Sequence, residues 1–450
     1  MRGPDISILV DAGLGNSSYV VDLGDGRALV LDPARDPRPY LADAERRGLR
    51  VALTVETHLH ADFVSGSREL AARGATVVAA RAARLEHPHH GLAGGEALDL
   101  GGLTLEAIET PGHTPEHLSY LLRDGSRPVA LFSGGSLLVG AVARTDLIAP
   151  EATETLARSL WRSIQERLLC LPDDLAVYPT HGAGSFCSVA SGGERLTTIG
   201  RERATNPLLS AADEDTFVAR LLAGFATFPT YFLELREVNR RGPHLYREYP
   251  ALTPLDAVTV DGLLDDGAGL VDVRPVEAFA AGHVPGALSI PLRPEFASWL
   301  GWLVARDRPL VLVVDAEQDR DELVRQCLAV GYERIAGELA GGVDGWAARG
   351  MPVATVALVG PGETLGTVVD VRQRSEFAAG HVPGALNLEL GDVAAEASAL
   401  PAGPLTVMCG HGERAMSAAS IFSAQGRADV AVLVGGPVDV VAARGQRLVV

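Results

Sequence analysis

The 450-residue sequence contains no lysine, so its 39 basic side chains are all arginines. This absence excludes mechanisms that depend on a lysine amine, such as Schiff-base catalysis. Acidic residues outnumber the arginines and give a formal net charge of −18. Binding to nucleic acid or to an anionic membrane surface needs clustered positive charge. We therefore expect neither nucleic acid nor membranes among the partners.

Long apolar runs are also missing. No stretch approaches the roughly 20 apolar residues that span a bilayer, and the first ten residues lack the long apolar region of a signal peptide. These absences predict a cytoplasmic protein. Cysteine is scarce and shows no CxxC pairing, so we expect reduced thiols, any one of which could be a nucleophile. The four are Cys170, Cys187, Cys327 and Cys409.

An internal repeat organises the C-terminal half. Residues 272–288 recur at 370–386 with thirteen of seventeen positions identical. The spacing is too long for a solenoid unit and indicates a tandem pair of domains. In both copies strands alternate with helices, which predicts an open, mostly parallel sheet. The first 250 residues differ: short strands dominate early, and residues 151–169 form the longest predicted helix.

The sequence therefore predicts an α/β multidomain protein. Its length is too great for one ordinary core, so several domains are expected. We place the domains at residues 1–250, 251–353 and 354–450, with boundaries near 250 and 354.

Cys409 begins the hexapeptide Cys-Gly-His-Gly-Glu-Arg, which follows a predicted strand at 405–408 and precedes a helix at 415–422. A thiol at a helix N-terminus faces backbone N–H groups and the positive end of the helix dipole, and both stabilise a thiolate. The two glycines let the backbone curl around the sulfur, and Arg414 closes the loop. Cys409 is therefore the predicted nucleophile.

This hexapeptide, the Asp-Val-Arg and Phe-Ala-Ala-Gly-His-Val-Pro-Gly-Ala segments and the final Gly435-Gly436 resemble the rhodanese family over most of residues 355–440. The resemblance implies a sulfurtransferase in which Cys409 carries sulfur and Arg414 ends the active loop. It further implies a small-molecule thiol persulfide or other sulfane-sulfur donor, and a thiol acceptor. Pro437 departs from the family, which has an aromatic residue near this position. The predicted substrate-binding loop comprises Gly410, His411, Gly412 and Glu413.

The middle repeat lacks the nucleophile. Depending on the register chosen, Asp315 or Val314 stands where Cys409 stands in the second copy, and neither side chain can carry persulfide sulfur. Cys327 lies within a predicted helix and is expected in the core. We predict an inactive rhodanese-like domain with a docking or spacing role. The repeated His283 and His381 are expected to be scaffold residues.

Three histidine-containing segments follow predicted strands in the N-terminal part. His58, His60 and Asp62 lie in Thr-His-Leu-His-Ala-Asp, His113 in Thr-Pro-Gly-His-Thr-Pro, and His181 in Tyr-Pro-Thr-His-Gly. Histidines at the ends of strands are typical of a metal site assembled from loops. Imidazole suits zinc or ferrous iron.

These segments resemble the metallo-β-lactamase superfamily over most of residues 5–205, and more narrowly its persulfide dioxygenase branch. The resemblance implies an αββα fold and the oxidation of a thiol persulfide to sulfite with one ferrous ion. A dioxygenase domain followed by an inactive and an active rhodanese domain is also the arrangement of bacterial sulfide-detoxification enzymes. We therefore expect an enzyme of reactive-sulfur metabolism.

Two positions depart from that branch. Phe63 replaces a histidine ligand of a second metal, and Gly135 replaces the aspartate that the family uses to bind iron. The two-histidine, one-carboxylate iron site is therefore incomplete, and we expect Gly135→Asp to restore iron binding. Three alternatives stay open. His58, His60 and His113 bind one Fe(II) or Zn(II); Asp62 replaces the missing carboxylate, with His181 a further candidate; or the domain binds no metal.

Two rival functions follow from these alternatives. One is a zinc-dependent thioester hydrolase of the glyoxalase II type, and the other is a non-catalytic persulfide-binding scaffold. The oligomeric state is open, a homodimer or higher assembly included. The remaining histidines are assigned to structure or solvent. His117 is expected to be structural, and His87, His89 and His90 to lie in a solvated loop.

Overall fold

The computed structural model describes residues 4–187, 193–363 and 366–450. Contacts divide the chain into two compact units. The first comprises Met1–Glu248 together with Leu328–Gly331, and the second comprises Tyr249–Cys327 and Tyr332–Val450.

Two six-stranded sheets form the framework of the first unit. The first sheet begins with antiparallel pairs and continues with parallel ones, in the order of the chain. Its strands are β1 (Ile6–Asp11), β2 (Asn16–Asp22), β3 (Arg27–Leu31), β4 (Arg50–Val55), β5 (Thr76–Ala80) and β6 (His90–Leu92). The second sheet has the order β12-β11-β10-β9-β8-β7. It is made of β7 (Ala97–Asp99), β8 (Leu103–Glu109), β9 (Leu118–Asp124), β10 (Arg127–Gly134), β11 (Ala176–Pro179) and β12 (Thr197–Thr198).

Helices cover the outer face of each sheet. Apolar residues of both sheets, such as Leu29 and Leu122, share one core cluster between the sheets. The outer face of the first sheet packs on the helices Arg38–Arg46 and Ser67–Ala71. That of the second sheet packs on the helices Thr153–Ser163 and Glu214–Ala223. The predicted αββα layering is therefore confirmed. The helices are α1 (Arg38–Arg46), α2 (Ser67–Ala71), α3 (Thr153–Ser163), α4 (Ile199–Thr205), α5 (Glu214–Ala223) and α6 (Phe232–Arg241).

The longest helix predicted for this region is divided. Pro150–Ala152 forms a 3₁₀ turn before α3, and Ile164–Leu168 widens into a π-helical turn after it. Leu160, Ile164 and Leu168 are all fully buried. These three positions are four residues apart, the spacing that places side chains on one face of an α-helix.

The second unit contains two five-stranded parallel sheets with the same strand order. The orders are β13-β17-β16-β14-β15 and β18-β22-β21-β19-β20. The first sheet consists of β13 (Pro254–Leu255), β14 (Gly269–Asp272), β15 (Leu288–Ser289), β16 (Leu310–Val313) and β17 (Ile335–Leu339). The second consists of β18 (Ala357–Val359), β19 (Thr367–Asp370), β20 (Leu386–Asn387), β21 (Leu405–Met408) and β22 (Val430–Leu433).

Helices connect these parallel strands, as parallel pairing requires. The middle repeat carries α7 (Ala257–Asp265), α8 (Val276–Ala281), α9 (Phe296–Leu303), α10 (Arg320–Ala329) and α11 (Gly342–Ala347). The last repeat carries α12 (Arg374–Ala379), α13 (Val393–Glu396), α14 (Glu413–Ala424) and α15 (Pro437–Ala443). Across the described ranges, we find no helix with the length and apolar character needed to cross a membrane.

Candidate functional site

Cys409 directly follows β21 and opens the loop that leads into α14. The backbone N–H of Gly412 donates a hydrogen bond of 3.1 Å to the Sγ atom of Cys409. Gly412 has a φ of +117°, a conformation that favours glycine and turns its N–H back toward the sulfur. Cys409 itself is only 1% exposed. The loop therefore holds a buried sulfur against a backbone donor at the start of a twelve-residue helix.

Arg414 is engaged by a carboxylate. Its guanidinium donates hydrogen bonds of 2.6 and 2.9 Å to the two oxygens of Glu376 in α12. Burial opposes ionisation of Glu376, but the hydrogen bond from Arg414 outweighs it and lowers the pKa of that carboxyl. The Arg414 guanidinium thus stays beside the Cys409 loop, and Glu376 of α12 sets its orientation.

The paired glycines near the end of the chain lie against this loop. A Cβ atom on Gly436 would come within 2.7 Å of the carbonyl oxygen of Gly410. The absence of a side chain at Gly436 therefore permits the close approach of the two segments. Pro437 occupies the first turn of α15, where a missing N–H costs nothing.

Residues of the middle repeat contact the Cys409 loop and α14, which sequence patterns did not reveal. The Trp299 ring lies 5.9 Å from the guanidinium carbon of Arg414, and Arg293 forms an ion pair of 3.2 Å with Glu413. In α14, the Ser417 hydroxyl donates a 2.6 Å hydrogen bond to the carbonyl oxygen of Ser289. The middle repeat therefore packs directly on the helix that carries the Cys409 loop.

Sheet register resolves which residue of the middle repeat corresponds to Cys409. Asp370 pairs with Met408, just as Asp272 pairs with Val313. The residue after each strand is therefore Cys409 in one copy and Val314 in the other. Asp315 lies one position further on.

The middle loop also has a different hydrogen-bonding pattern. Arg320 donates to the carbonyl oxygens of Asp315, Ala316 and Gln318. Three carbonyl oxygens of this loop thus point at the Arg320 guanidinium. A loop that presents carbonyl oxygens does not stabilise an anionic sulfur. Cys327 is fully buried in α10, and burial raises the pKa of its thiol. His283 stacks on Phe279, as His381 does on Phe377, which places both histidines in the scaffold.

The predicted metal-site histidines meet at the edge of the two sheets in the first unit. His58 and His60 follow β4, His113 lies between β8 and β9, and His181 follows β11. The candidate ligand atoms of His58, His60 and His181 lie within 4.8 Å of one another, and so do those of His113, His181 and Cys187. His181 therefore belongs to both groups.

Hydrogen bonds fix which ring nitrogen of each histidine is free. Nδ1 of His58 donates to the Thr57 hydroxyl at 2.8 Å, because that hydroxyl itself donates to Asp32. Nδ1 of His181 donates to Oδ1 of Asn16 at 3.0 Å. The Nε2 atoms of His58 and His181 lie 3.3 Å apart in a buried position. A shared proton or a metal ion would satisfy both atoms.

His60 and His113 are also held by hydrogen bonds through one ring nitrogen. Nε2 of His60 faces Glu56 at 3.0 Å and Asp32 at 3.3 Å. Burial disfavours the imidazolium, but these carboxylates outweigh it and raise the pKa of His60 to about 10. Its other nitrogen, Nδ1, is buried and has no hydrogen-bond partner among the described residues. Nδ1 of His113 donates to the carbonyl oxygen of Arg144 at 2.7 Å, which leaves its Nε2 as a lone pair.

Anionic donors lie beside the imidazoles. Both carboxylate oxygens of Asp62 are buried, and neither has a hydrogen-bond partner within the described part of the chain. Burial opposes ionisation of Asp62, but His181 outweighs it and lowers the pKa to about 2. The thiol of Cys187 is also fully buried, and burial raises its pKa well above the usual range.

These residues fit a divalent metal ion. Buried, unpartnered donor atoms and converging lone pairs are costly unless a cation satisfies them. The donors that would hold it are His58, His113, His181 and Cys187, and His60 would join them as a neutral imidazole. Asp62 lies beside His181. The individual ligand assignments made from the sequence stay predictions.

Gly135 lies tightly against a metal-site histidine. A Cβ atom on Gly135 would lie 2.4 Å from Cδ2 of His113 and 3.2 Å from Cβ of Ala143. The restoration of iron binding by Gly135→Asp stays a prediction, and it requires the His113 ring to shift. The N–H of Gly135 donates to Nε2 of His117 at 2.9 Å. His117 thus supports the backbone at Gly135, and burial lowers the pKa of His117 to about 3.

Several site residues escaped the sequence interpretation. Asp32 and Glu56 orient His60, and Cys187 reaches the histidines from a position six residues after His181. Glu56 directly precedes one recognised motif and Cys187 closely follows another, whereas no local pattern marks Asp32. His90 was expected in a loop but begins β6, and His87 lines a cavity beside His60 and Glu56.

Comparisons with known proteins agree with both sites. The family described as Metallo-beta-lactamase superfamily matches residues 8–181, and the Rhodanese-like domain matches residues 256–349 and 356–443. The human protein named "Persulfide dioxygenase ETHE1, mitochondrial" is 30% identical over 191 residues, which cover 42% of this chain and 68% of that protein. A hydroxyacylglutathione hydrolase of Rhizobium meliloti is 29% identical over 45% of this chain and 86% of its own length.

A solved structure covers much of the chain. The crystal structure of a metallo-beta-lactamase from Staphylococcus aureus subsp. aureus COL superposes with a TM-score of 0.68 and 29% identity. The match covers 75% of this chain and 99% of that one.

Proposed function

We propose that this chain, which belongs to the metallo-β-lactamase superfamily and joins a persulfide dioxygenase-like domain to two rhodanese-like domains, is a cysteine-persulfide sulfurtransferase. Its nucleophile is Cys409. The observation that carries this proposal is the hydrogen bond from the Gly412 N–H to the Cys409 sulfur at the start of α14. The same N–H would stabilise the terminal negative charge of a persulfide on this residue.

The reaction transfers one sulfur atom and needs no external oxidant. The Cys409 thiolate attacks the sulfane sulfur of a donor such as thiosulfate, a new S–S bond forms, and the donor's own S–S bond breaks to release sulfite. An acceptor thiolate then attacks the terminal sulfur of the cysteine persulfide. That S–S bond breaks, the acceptor leaves as a persulfide, and the Cys409 thiolate is regenerated.

The loop geometry favours small substrates. Cys409 is 1% exposed, so a donor must present its terminal sulfur rather than a bulky face. A low-molecular-weight thiol persulfide fits this requirement, and a second small thiol fits the acceptor role. The four free cysteines suit a reducing compartment such as the cytoplasm.

The N-terminal domain supports two candidate activities. The human relative is named a persulfide dioxygenase, which suggests oxidation of the same class of substrate that Cys409 would use. A bound ferrous ion would activate oxygen in such a site. Gly135 offers no carboxylate, however, so the histidines and Asp62 would have to hold the ion.

The hydrolase relatives point to a second activity. A zinc ion held by these histidines would supply a hydroxide that attacks a thioester, as the name hydroxyacylglutathione hydrolase suggests for the Rhizobium meliloti protein. Elemental analysis of the purified full chain separates the candidates. Iron favours the dioxygenase, zinc favours the hydrolase or a structural site, and absence of metal favours a scaffold.

A kinetic assay tests the central proposal. Full-length protein is incubated with thiosulfate and a thiol acceptor, and sulfite release is followed. Turnover that depends on Cys409 supports the proposal. Turnover that is unchanged in Cys409→Ser would refute it.

A further inference from the structure

We propose that Cys187 is a metal ligand, and that it forms a zinc site with His113 and His181, beside Asp62. The thiolate then supplies an anionic donor, which Gly135 lacks. This inference concerns the N-terminal domain alone and is independent of sulfur transfer at Cys409.

The first support is geometric. The candidate ligand atoms of His113, His181 and Cys187 lie within 4.8 Å of one another, and all three residues are at least 99% buried. The backbone of Arg144 connects two of them. Its N–H donates a 2.9 Å hydrogen bond to the carbonyl oxygen of Cys187, and its carbonyl oxygen accepts from Nδ1 of His113 at 2.7 Å. One residue therefore holds both ligands in place.

The second support is a buried carboxylate. Asp62 neighbours the thiol of Cys187, and its Oδ2 lies 3.3 Å from Nδ1 of His181. Asp62 is 98% buried. The Tyr231 hydroxyl donates to its backbone oxygen at 3.0 Å and so anchors the main chain. Metal-binding histidines commonly direct their other ring nitrogen at a carboxylate, which is the position of Asp62 relative to His181.

The charges nearest the proposed ion balance it. One thiolate and the adjacent carboxylate would offset a 2+ charge, which suits a buried site. The neighbouring His60 pairs with Asp32 and Glu56.

The donor types favour zinc over ferrous iron. Zinc commonly takes four ligands drawn from cysteine, histidine and aspartate, and four protein ligands characterise structural rather than catalytic sites. An iron oxygenase instead needs open positions beside two histidines and a carboxylate. Phe63 stacks on His60 at 4.2 Å and offers no ligand atom, so a further donor must come from elsewhere. Cys187 provides it.

The test uses full-length protein loaded with zinc and freed of loosely bound metal. X-ray absorption at the zinc edge should show one sulfur neighbour at about 2.3 Å together with lighter nitrogen and oxygen neighbours. This measurement requires no substitution and is therefore unaffected by any folding defect. A zinc neighbour shell without sulfur, or protein that retains no zinc, would overturn the proposal.

Variants then identify the sulfur. Cys187→Ser should lose the sulfur neighbour and at least tenfold in zinc affinity, measured by competition with a chromogenic chelator. In the cobalt-substituted protein, it should also lose the near-ultraviolet sulfur-to-cobalt absorption band. Cys170→Ser, which changes an exposed cysteine, is the matched control and should retain all three properties. Retention of the band by Cys187→Ser would assign the sulfur to another residue and contradict the inference.

Discussion

The guanidinium of Arg414 and the carboxylate of Glu376 form a two-point pair, with hydrogen bonds of 2.6 and 2.9 Å. The pair joins α12 to the first turn of α14 and so fixes one side of the Cys409 loop. Because a guanidinium donates in a planar fork, this geometry sets the direction as well as the position of the cation.

Removing the charge of Glu376 should therefore loosen the loop. The Glu376 side chain is 40% exposed, so solvent screening limits the loss of stability in Glu376→Gln to about 1 kcal/mol. We expect slower sulfur loading of Cys409 and a lower denaturation midpoint. Glu277→Gln, at an exposed position in α8, is the control. Equal loading rates in the two variants would show that the pair does not position the loop.

The same pair predicts a direction of pH dependence. Arg414 lowers the pKa of Glu376 below its unfolded value. The contribution of the pair to stability is then fully present above the ordinary glutamate pKa of about 4.3 and is lost as the pH falls through the lowered folded value. Urea denaturation measured between neutral and acid pH should show a smaller decline in stability for Glu376→Gln than for the native chain. Parallel declines would contradict this assignment.

Contact between the two repeats should matter for Cys409 chemistry. Ser417→Ala removes the hydrogen bond to the Ser289 carbonyl, and the lost bond should cost about 1 kcal/mol because the acceptor stays buried. Ser423→Ala changes an exposed serine on the same helix and should be neutral. Thermal unfolding of the full chain compares them. A neutral Ser417→Ala would mean that the middle repeat does not support α14.

Gly135→Ala should disturb the metal site through size alone. The added methyl group would meet the His113 ring, and overpacking of this kind costs about 1–3 kcal/mol. We expect lower metal content and a lower unfolding temperature. Gly193→Ala places its methyl group in open space and serves as the control. Normal metal content in Gly135→Ala would show that His113 can move without consequence.

Loss of His181 should reduce bound metal more than loss of an exposed histidine. His181→Ala removes the residue common to both donor groups, whereas His90→Ala changes an exposed side chain at the start of β6. Removing the metal should destabilise the native protein, because an ion that binds only the folded state stabilises it. Metal content per chain and unfolding temperature measure both effects. Identical values for the two variants would refute a metal site at His181.

The αββα layers were predicted from the resemblance to the metallo-β-lactamase superfamily. The two parallel-sheet repeats were predicted from the internal repeat and its alternating strands and helices, which are local patterns. Cys409 was predictable for the same reason, since its loop, strand and helix are contiguous in the chain. The sequence left two registers open in the middle repeat, and only strand pairing identified Val314 as the counterpart of Cys409.

The features that were missed depend on packing between distant segments. Trp299 and Ser289 approach α14 from the other repeat, and nothing local marks them. His113, which is 22 positions earlier in the chain, likewise lies close against Gly135. A missing side chain in a motif says which ligand is absent. It does not say whether the cavity for that ligand remains.

Mass spectrometry of the sulfur-loaded chain tests the account most directly. After incubation with thiosulfate and removal of excess donor, the peptide containing Cys409 should carry one additional sulfur atom, and Cys409→Ser should carry none. Cys170→Ser, which removes the exposed thiol, should load normally. Sulfur that persists on the chain after Cys409→Ser, or that resides on Cys170 in the native protein, would contradict the assignment of Cys409 as the sulfur carrier.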